Sequence, residues 1–170
     1  LDQSRTERAR AAGAAAVAVR PGGVVAAATG SEVIAVDTHI LARFYCDDPE
    51  DTEARRQRPV ARRVLIESAS VFVPLTVILE FEWVMRGFYE AEPAAFCSAV
   101  EHLLGMPHVT VEHWQAVKDA LGLHLRGLDF ADALHWASSV ACERLETFDD
   151  KGFARRTRRL DLTPEVTLAK

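Results

Sequence analysis

The chain has 170 residues, 49% of them apolar, with a formal net charge of −5 and a pI near 5.7. That length and apolar content suit one compact domain with a sizeable core. The acidic balance excludes a protein that grips nucleic acid through bulk positive charge, and leaves only local basic patches for that purpose.

Residues 1–31 stand apart. Arg5, Arg8, Arg10 and Arg20 punctuate an Ala/Gly/Val run, and Arg20-Pro21-Gly22-Gly23 interrupts what could have been a signal-peptide core. The segment reads as a disordered extension, an appended cloning scar or a misplaced start, not as a secretion signal. No window reaches the roughly 20 uncharged apolar residues of a membrane span. Cys46, Cys97 and Cys142 form an odd set without a C-x-x-C pair, which reads as reduced core thiols in a cytoplasmic protein. Residues 32–170 are expected to form one domain.

Val33 to Val36 is a continuous apolar run rich in β-branched residues, the pattern of a strand covered on both faces. Asp37 ends it. Thr38 is placed to cap a helix whose Ile40, Leu41 and Phe44 form an apolar face. An acid at the carboxyl end of such a strand lies where open α/β sheets place their ligands; a plain capping role is the alternative. Asp47-Asp48-Pro49-Glu50-Asp51 is a turn with helix-start chemistry, followed by a basic helix from Thr52 to Ser68 that Pro59 should kink or restart. Its Arg55, Arg56, Arg58, Arg62 and Arg63 read first as a solvated face and second as phosphate contacts.

Val71-Phe72-Val73-Pro74 is a second strand, and Thr76 opens a helix from Val77 to Tyr89. On it Glu80 and Glu82 stand about 200° apart, so they should not both face one site, and periodicity does not choose between them. Pro93 starts the next helix and Gly105 stops it. Val109-Thr110-Val111 is a third strand, and Trp114, Val117, Leu121 and Leu125 mark a helix ending at Gly127. The run Leu128 to Ala137 is an Ala-rich helix that carries Asp132 on an apolar face, where an unpaired carboxylate is costly. Leu145 to Phe148 is a fourth strand ended by Asp149 and Asp150, a repeat of the arrangement at Val36-Asp37. A short basic helix with Arg155, Arg156, Arg158 and Arg159 follows, then a last strand near Val166 to Leu168. Alternating strands and helices imply a three-layer α/β/α sandwich with a mainly parallel sheet of four or five strands.

Two acids at strand ends and two on apolar helix faces suggest a site. Converging carboxylates repel one another unless a cation neutralises them, and an all-oxygen set selects Mg²⁺ or Mn²⁺ over zinc. One or two such ions can activate water and stabilise the charge that develops on a phosphodiester.

The segments Val36-Asp37-Thr38-His39-Ile40-Leu41, Leu79-Glu80-Phe81-Glu82-Trp83, Asp129-Phe130-Ala131-Asp132-Ala133-Leu134 and Thr147-Phe148-Asp149 resemble, in order and spacing, those of PIN-domain ribonucleases, and most closely the VapC-like toxins of toxin–antitoxin pairs. The resemblance spans about Val33 to Leu168. It implies a PIN-like fold, Mg²⁺ or Mn²⁺ held by Asp37, Glu80, Asp132 and Asp149, and endoribonuclease activity on an RNA substrate. A small cognate antitoxin as inhibitor and a homodimer are implied as well. It selects Glu80 over Glu82. Two departures stand out: His39 occupies a position where the family commonly has Asn, and Asp150 adds an acid that could trade places with Asp149. Thr38, His39, Thr147 and Asp150 are candidate supporting or substrate contacts, with ordinary structural roles as the alternative for His39 and Thr147. His135, one turn from Asp132, has no zinc-spaced partner and is assigned to the core. The Arg155 to Arg159 helix, which starts beside Asp149, is the candidate RNA-backbone contact. Rival readings are an inactive PIN-like scaffold and a haloacid-dehalogenase-like phosphatase; the latter expects an Asp where His39 stands.

Overall fold

The computed structural model describes residues 32–170, so the reading of the arm at 1–31 lies outside the described residues. β1 (Ile34–Ala35) leads into α1 (Thr38–Tyr45), α2 (Thr52–Glu67), β2 (Val71–Val73), α3 (Leu75–Gly87), α4 (Pro93–Leu104) and β3 (Val109–Val111). Then come α5 (Trp114–Leu125), α6 (Phe130–Ser138), β4 (Arg144–Thr147), a π-helical turn (Asp150–Ala154) that runs into α7 (Arg155–Arg159), and β5 (Glu165–Leu168). The chain is a mixed α/β fold with short parallel strands.

β2 is the central strand of a three-stranded sheet ordered β1-β2-β3, with Ile34 opposite Val71 and Val73 opposite Val111. Val71 and Val73 are fully buried, as a strand paired on both edges requires. β4 and β5 form a separate parallel pair, Arg144 opposite Glu165 through Thr147 opposite Leu168. The expected sheet of four or five strands is thus divided into three and two among the described residues. β1 has only two ladder residues, and its Ile34 and Val36 N–H groups go to the Ser70 and Phe72 carbonyls of the β2 segment at 3.1 Å. No ladder joins β1 to β4, so Asp37 and Asp149 do not follow hydrogen-bonded neighbours.

Several helix starts differ from the sequence reading for identifiable reasons. Asp37, not Thr38, caps α1, and Thr38 is its buried first residue. α3 begins at Leu75 without a side-chain cap from its own start; Glu112 at the end of β3 accepts the Leu75 N–H at 2.8 Å instead. α2 runs through Pro59 without restarting. Pro59 removes one bond to the Arg55 carbonyl, but both residues face solvent, where water replaces it. Gly105 ends α4 with ordinary negative φ, while Gly127, at φ +92, uses the left-handed conformation that favours glycine.

Phe81, Phe96 and Phe130 are buried and packed in a chain, with ring centroids 5.9 Å apart for Phe81–Phe96 and 4.7 Å for Phe96–Phe130. The Phe96–Phe130 pair is edge-to-face, which favours one arrangement of the rings. Phe81 follows Glu80 and Phe130 precedes Asp132 by two residues, so the same aromatic contacts that build the core set α3 and α6 relative to α4. Cys97 is buried and Cys46 half-buried, but Cys142 is exposed beyond the end of α6, contrary to the expectation of three core thiols. Among the described residues no helix is long and apolar enough to cross a membrane.

Candidate active site

Asp37 lies in extended backbone between β1 and α1, and its Oδ1 accepts the Ile40 N–H at 3.1 Å. Its other oxygen is 3.6 Å from His39 Nδ1, both side chains being largely exposed. Such a surface pair contributes little to stability. The next residue, Thr38, is buried and donates its hydroxyl to Glu80 Oε2 at 2.5 Å. Capping turns Thr38 inward while Asp37 stays out, so one helix start presents an acid and orients a second from α3.

Glu80 and Glu82 have different surroundings. Glu80 is exposed apart from its Thr38 bond, whereas Glu82 is only 4% exposed and receives Arg86 Nε at 2.7 Å. A buried carboxylate needs such a partner. The two glutamates do share a groove of about 330 Å³ with Thr76, Leu79, Trp83 and Ala131. Their separation is about 160° by the shorter way round an ideal helix, and the groove spans that arc, so they form its two flanks. Arg86 also lies within the electrostatic reach of Asp129, at the start of α6, which connects this groove to the next cluster of acids.

Asp129 caps α6 by accepting the Ala131 N–H at 3.0 Å. One turn on, Asp132 is half-buried, and its carboxyl is pushed above the usual range by burial first, then by Asp129 and Asp149, with His135 and Arg156 opposing. Asp149 is held the other way. Its carboxylate accepts the Gly152 and Phe153 N–H groups at 2.8 and 2.9 Å, and these bonds, with Arg156 and Arg155 nearby, lower its pKa. Gly152 is required there, because a Cβ would fall on the Asp149 carboxylate.

Thr147 Oγ1 accepts the Asp149 N–H at 3.0 Å, so it fixes the backbone of the acid, and among the described residues it bonds no carboxylate. Asp149, and not Asp150, is the neighbour that acts on Asp132. Asp150 is exposed at the first position of the π-helical turn. Of the four basic residues, Arg155 and Arg156 act on the acids, while Arg158 and Arg159 are exposed without such an influence.

Thr38, the residue after Asp37, thus bonds Glu80, and Asp132 lies within the electrostatic reach of Asp129 and Asp149. Among the described residues no group of three or more His, Cys, Asp or Glu side chains is close enough to hold a metal ion. Two participants were missed in the sequence. Asp129 had a signal, an Asp just before a helical run that holds a second acid three residues on. His135, assigned above to the core, is exposed beside Asp132, because Ala133, Leu134 and Ala137 take the inward face of α6. No protein-family model and no curated protein matches this chain.

Proposed function

We propose that this chain is a PIN-like, metal-dependent endoribonuclease of the VapC toxin type, with a three-layer α/β/α architecture and with Asp37, Glu80, Asp132 and Asp149 at its centre. The observation that carries this reading is that half-buried Asp132 lies within the electrostatic reach of Asp149, whose carboxylate is anchored by two backbone N–H groups. One acid is forced up by burial and like charge while the other is anchored by two backbone N–H groups. A hard divalent cation relieves that conflict. The donors are carboxylate oxygens in pairs, which fits Mg²⁺ or Mn²⁺, since Mg²⁺ typically takes one or two carboxylates together with waters and substrate phosphates. Zinc prefers Cys and His donors, which this pair lacks. Asp132 and Asp149 would hold the ion, with Asp37 and Glu80 as the further carboxylates.

When bound, the ion supplies charge neutralisation and a water of lowered pKa. The chain's own residues do the rest. Asp37, fixed as a helix cap, accepts a proton or orients water at its free oxygen. Thr38 holds Glu80 in one rotamer, and Arg155 and Arg156 offer guanidinium groups to a phosphate beside the acids. A homodimer and a small antitoxin belong to the same proposal. A second reading, an inactive PIN-like scaffold, is favoured by the absence of a three-ligand group among the described residues. Asp37→Asn tests both, because Asn caps helices as well as Asp does. The expected result is an unchanged melting temperature with Mn²⁺-dependent RNA cleavage reduced ~100-fold or more, the scale of losing a charge-stabilising group. Wild-type protein that neither takes up Mn²⁺ in a titration nor cleaves RNA would establish the scaffold instead.

A further inference from the structure

On α3 the buried residues Val77, Ile78, Phe81 and Met85 take the face toward the core. Trp83 takes the opposite side and is 67% exposed. At 100° per residue it stands about 60° from Glu80 and about 100° from Glu82, so it occupies the middle of the arc whose flanks those glutamates form. The groove of about 330 Å³ along α3 therefore has an open indole at its centre, with Leu79 and Ala131 as its other apolar walls. Glu80, one of the four proposed acids, is itself part of the groove wall.

What covers this indole is set by what surrounds it. The exposed apolar surface is one ring wide: Glu80, Glu82 and Arg86 border it, and Phe88, the next large exposed hydrophobic along the chain, lies about 140° further round the helix. A docked helix needs apolar anchors along a stripe at i, i+3, i+4 and i+7, and a stable protein interface covers about 800 Å² on each partner. A single ring bordered by charges offers neither. A nucleobase has the matching chemistry, with two flat apolar faces and polar edges that reach the charged rim or water. Stacking uses the face of the ring, so it needs neither a deep cavity nor a free hydrogen-bonding group. The Glu82 carboxylate can therefore keep its bond from Arg86 Nε at 2.7 Å. Bases of single-stranded RNA are open to such stacking, and the larger purines cover more of the indole.

We propose that the α3 groove is a stacking subsite for one base of a single-stranded RNA, with Trp83 as the platform and a purine preferred. That the nucleic acid is RNA rests on the nuclease reading; the stacking of a base on Trp83 does not. The test uses the full chain in Ca²⁺, titrated with short oligoadenylate and oligouridylate and followed by the NMR indole N–H signals of its three tryptophans. The signal lost in Trp83→Phe is that of Trp83. It should shift on titration, while that of Trp136, whose indole donates to the Pro164 carbonyl at 3.0 Å, should not. Oligoadenylate should bind more tightly than oligouridylate. Trp83→Ala should weaken oligoadenylate binding ~5-fold or more, the lower end for one lost stacked base, and Trp83→Phe should weaken it less. Both variants should melt with the wild type, because the ring faces solvent. An unmoved Trp83 signal, or Trp83→Ala binding as tightly as the wild type, would overturn the subsite. So would a change from dimer to monomer in sedimentation of Trp83→Ala with RNA affinity unaltered, which gives this face to a second copy of the chain. Parallel cleavage assays with Mn²⁺ separate the two claims: cleavage with an unmoved Trp83 signal sinks the subsite alone. Trp83-dependent binding without cleavage sinks the nuclease reading and leaves a nucleic-acid-binding face.

Discussion

Asp132 shows at a single residue how a half-buried acid strains a fold. Its raised pKa means that the folded state holds a proton more tightly than the unfolded chain does. The associated stability is fully present below the ordinary carboxylate range and is lost as pH rises through the raised folded value. At neutral pH the ionised group is therefore a liability, partly screened because solvent reaches it. Asp132→Asn should raise the metal-free melting temperature at pH 7 by roughly 1–3 °C and remove the decline above the carboxylate range. The same variant should lose the upward melting shift that Mn²⁺ gives the wild type. Differential scanning fluorimetry across pH, with and without Mn²⁺, measures both, and a variant less stable than wild type without metal would contradict the argument. Asp149 has the opposite sign: its depressed pKa gives stability that is present above the usual carboxylate range and lost as pH falls through the folded value. Its orientation depends on Gly152. Gly152→Ala should swing that carboxylate away from two N–H donors and lower RNA cleavage ~100-fold, the scale of a 1 Å misplacement, with Mn²⁺ affinity falling in step. Wild-type cleavage in this variant would show that the anchored position of Asp149 is not the working one.

Among the elements, the two basic helices differ in what their charges face. On α2, Arg56 pairs with Glu53 and Arg58 with Asp47, so part of the positive face is already compensated locally. On α7, Arg155 and Arg156 act on the acids instead. Replacing Arg155 and Arg156 with Gln should reduce the log–log salt slope of single-stranded RNA binding by ~0.7 for each phosphate left without its arginine. The same change at Arg158 and Arg159, or at Arg62 and Arg63, should alter it less. Filter binding at several salt concentrations in Ca²⁺ reads the slope, and an unchanged value for the first pair would turn α7 away from RNA. The elements themselves were largely readable because their signals are local: Pro93 at the first turn of α4, Asp51 ahead of α2 and Gly127 after α5 each act within one turn. Partnership between strands was not readable. Nothing in Val33 to Val36 says that its ladder is only two residues long, or that β4 pairs with β5 alone, since hydrogen-bond partners are set by the relative placement of distant segments. The same holds in the site. Asp37 and Asp149 stood out as strand-end acids, whereas the Thr38–Glu80 bond depends on which side of α1 the cap turns inward. The exposure of His135 depends on which arc of α6 the aromatic core selects.

The whole molecule carries a formal charge of −5, and the proposed site concentrates that sign where a phosphate backbone would have to lie. At an effective dielectric near 20, a phosphate about 7 Å from one uncompensated carboxylate loses roughly 2 kcal/mol, or ~30-fold in affinity. Arg155 and Arg156 offset part of this, but they already act on Asp149, and Arg156 on Asp132 as well. A divalent cation between the acids and the phosphate reverses the sign of the interaction. RNA binding, and not only cleavage, should therefore depend on the ion. In fluorescence anisotropy with a short single-stranded RNA, the wild type should bind ~30-fold more tightly in Ca²⁺ than in EDTA. A double variant, Asp132→Asn with Asp149→Asn, should bind better than wild type in EDTA and gain little from Ca²⁺, because the charge that the ion answers is gone. Equal wild-type affinity in the two buffers would place the RNA away from the acids, and the carboxylate pair would then have to be explained by something other than phosphodiester chemistry.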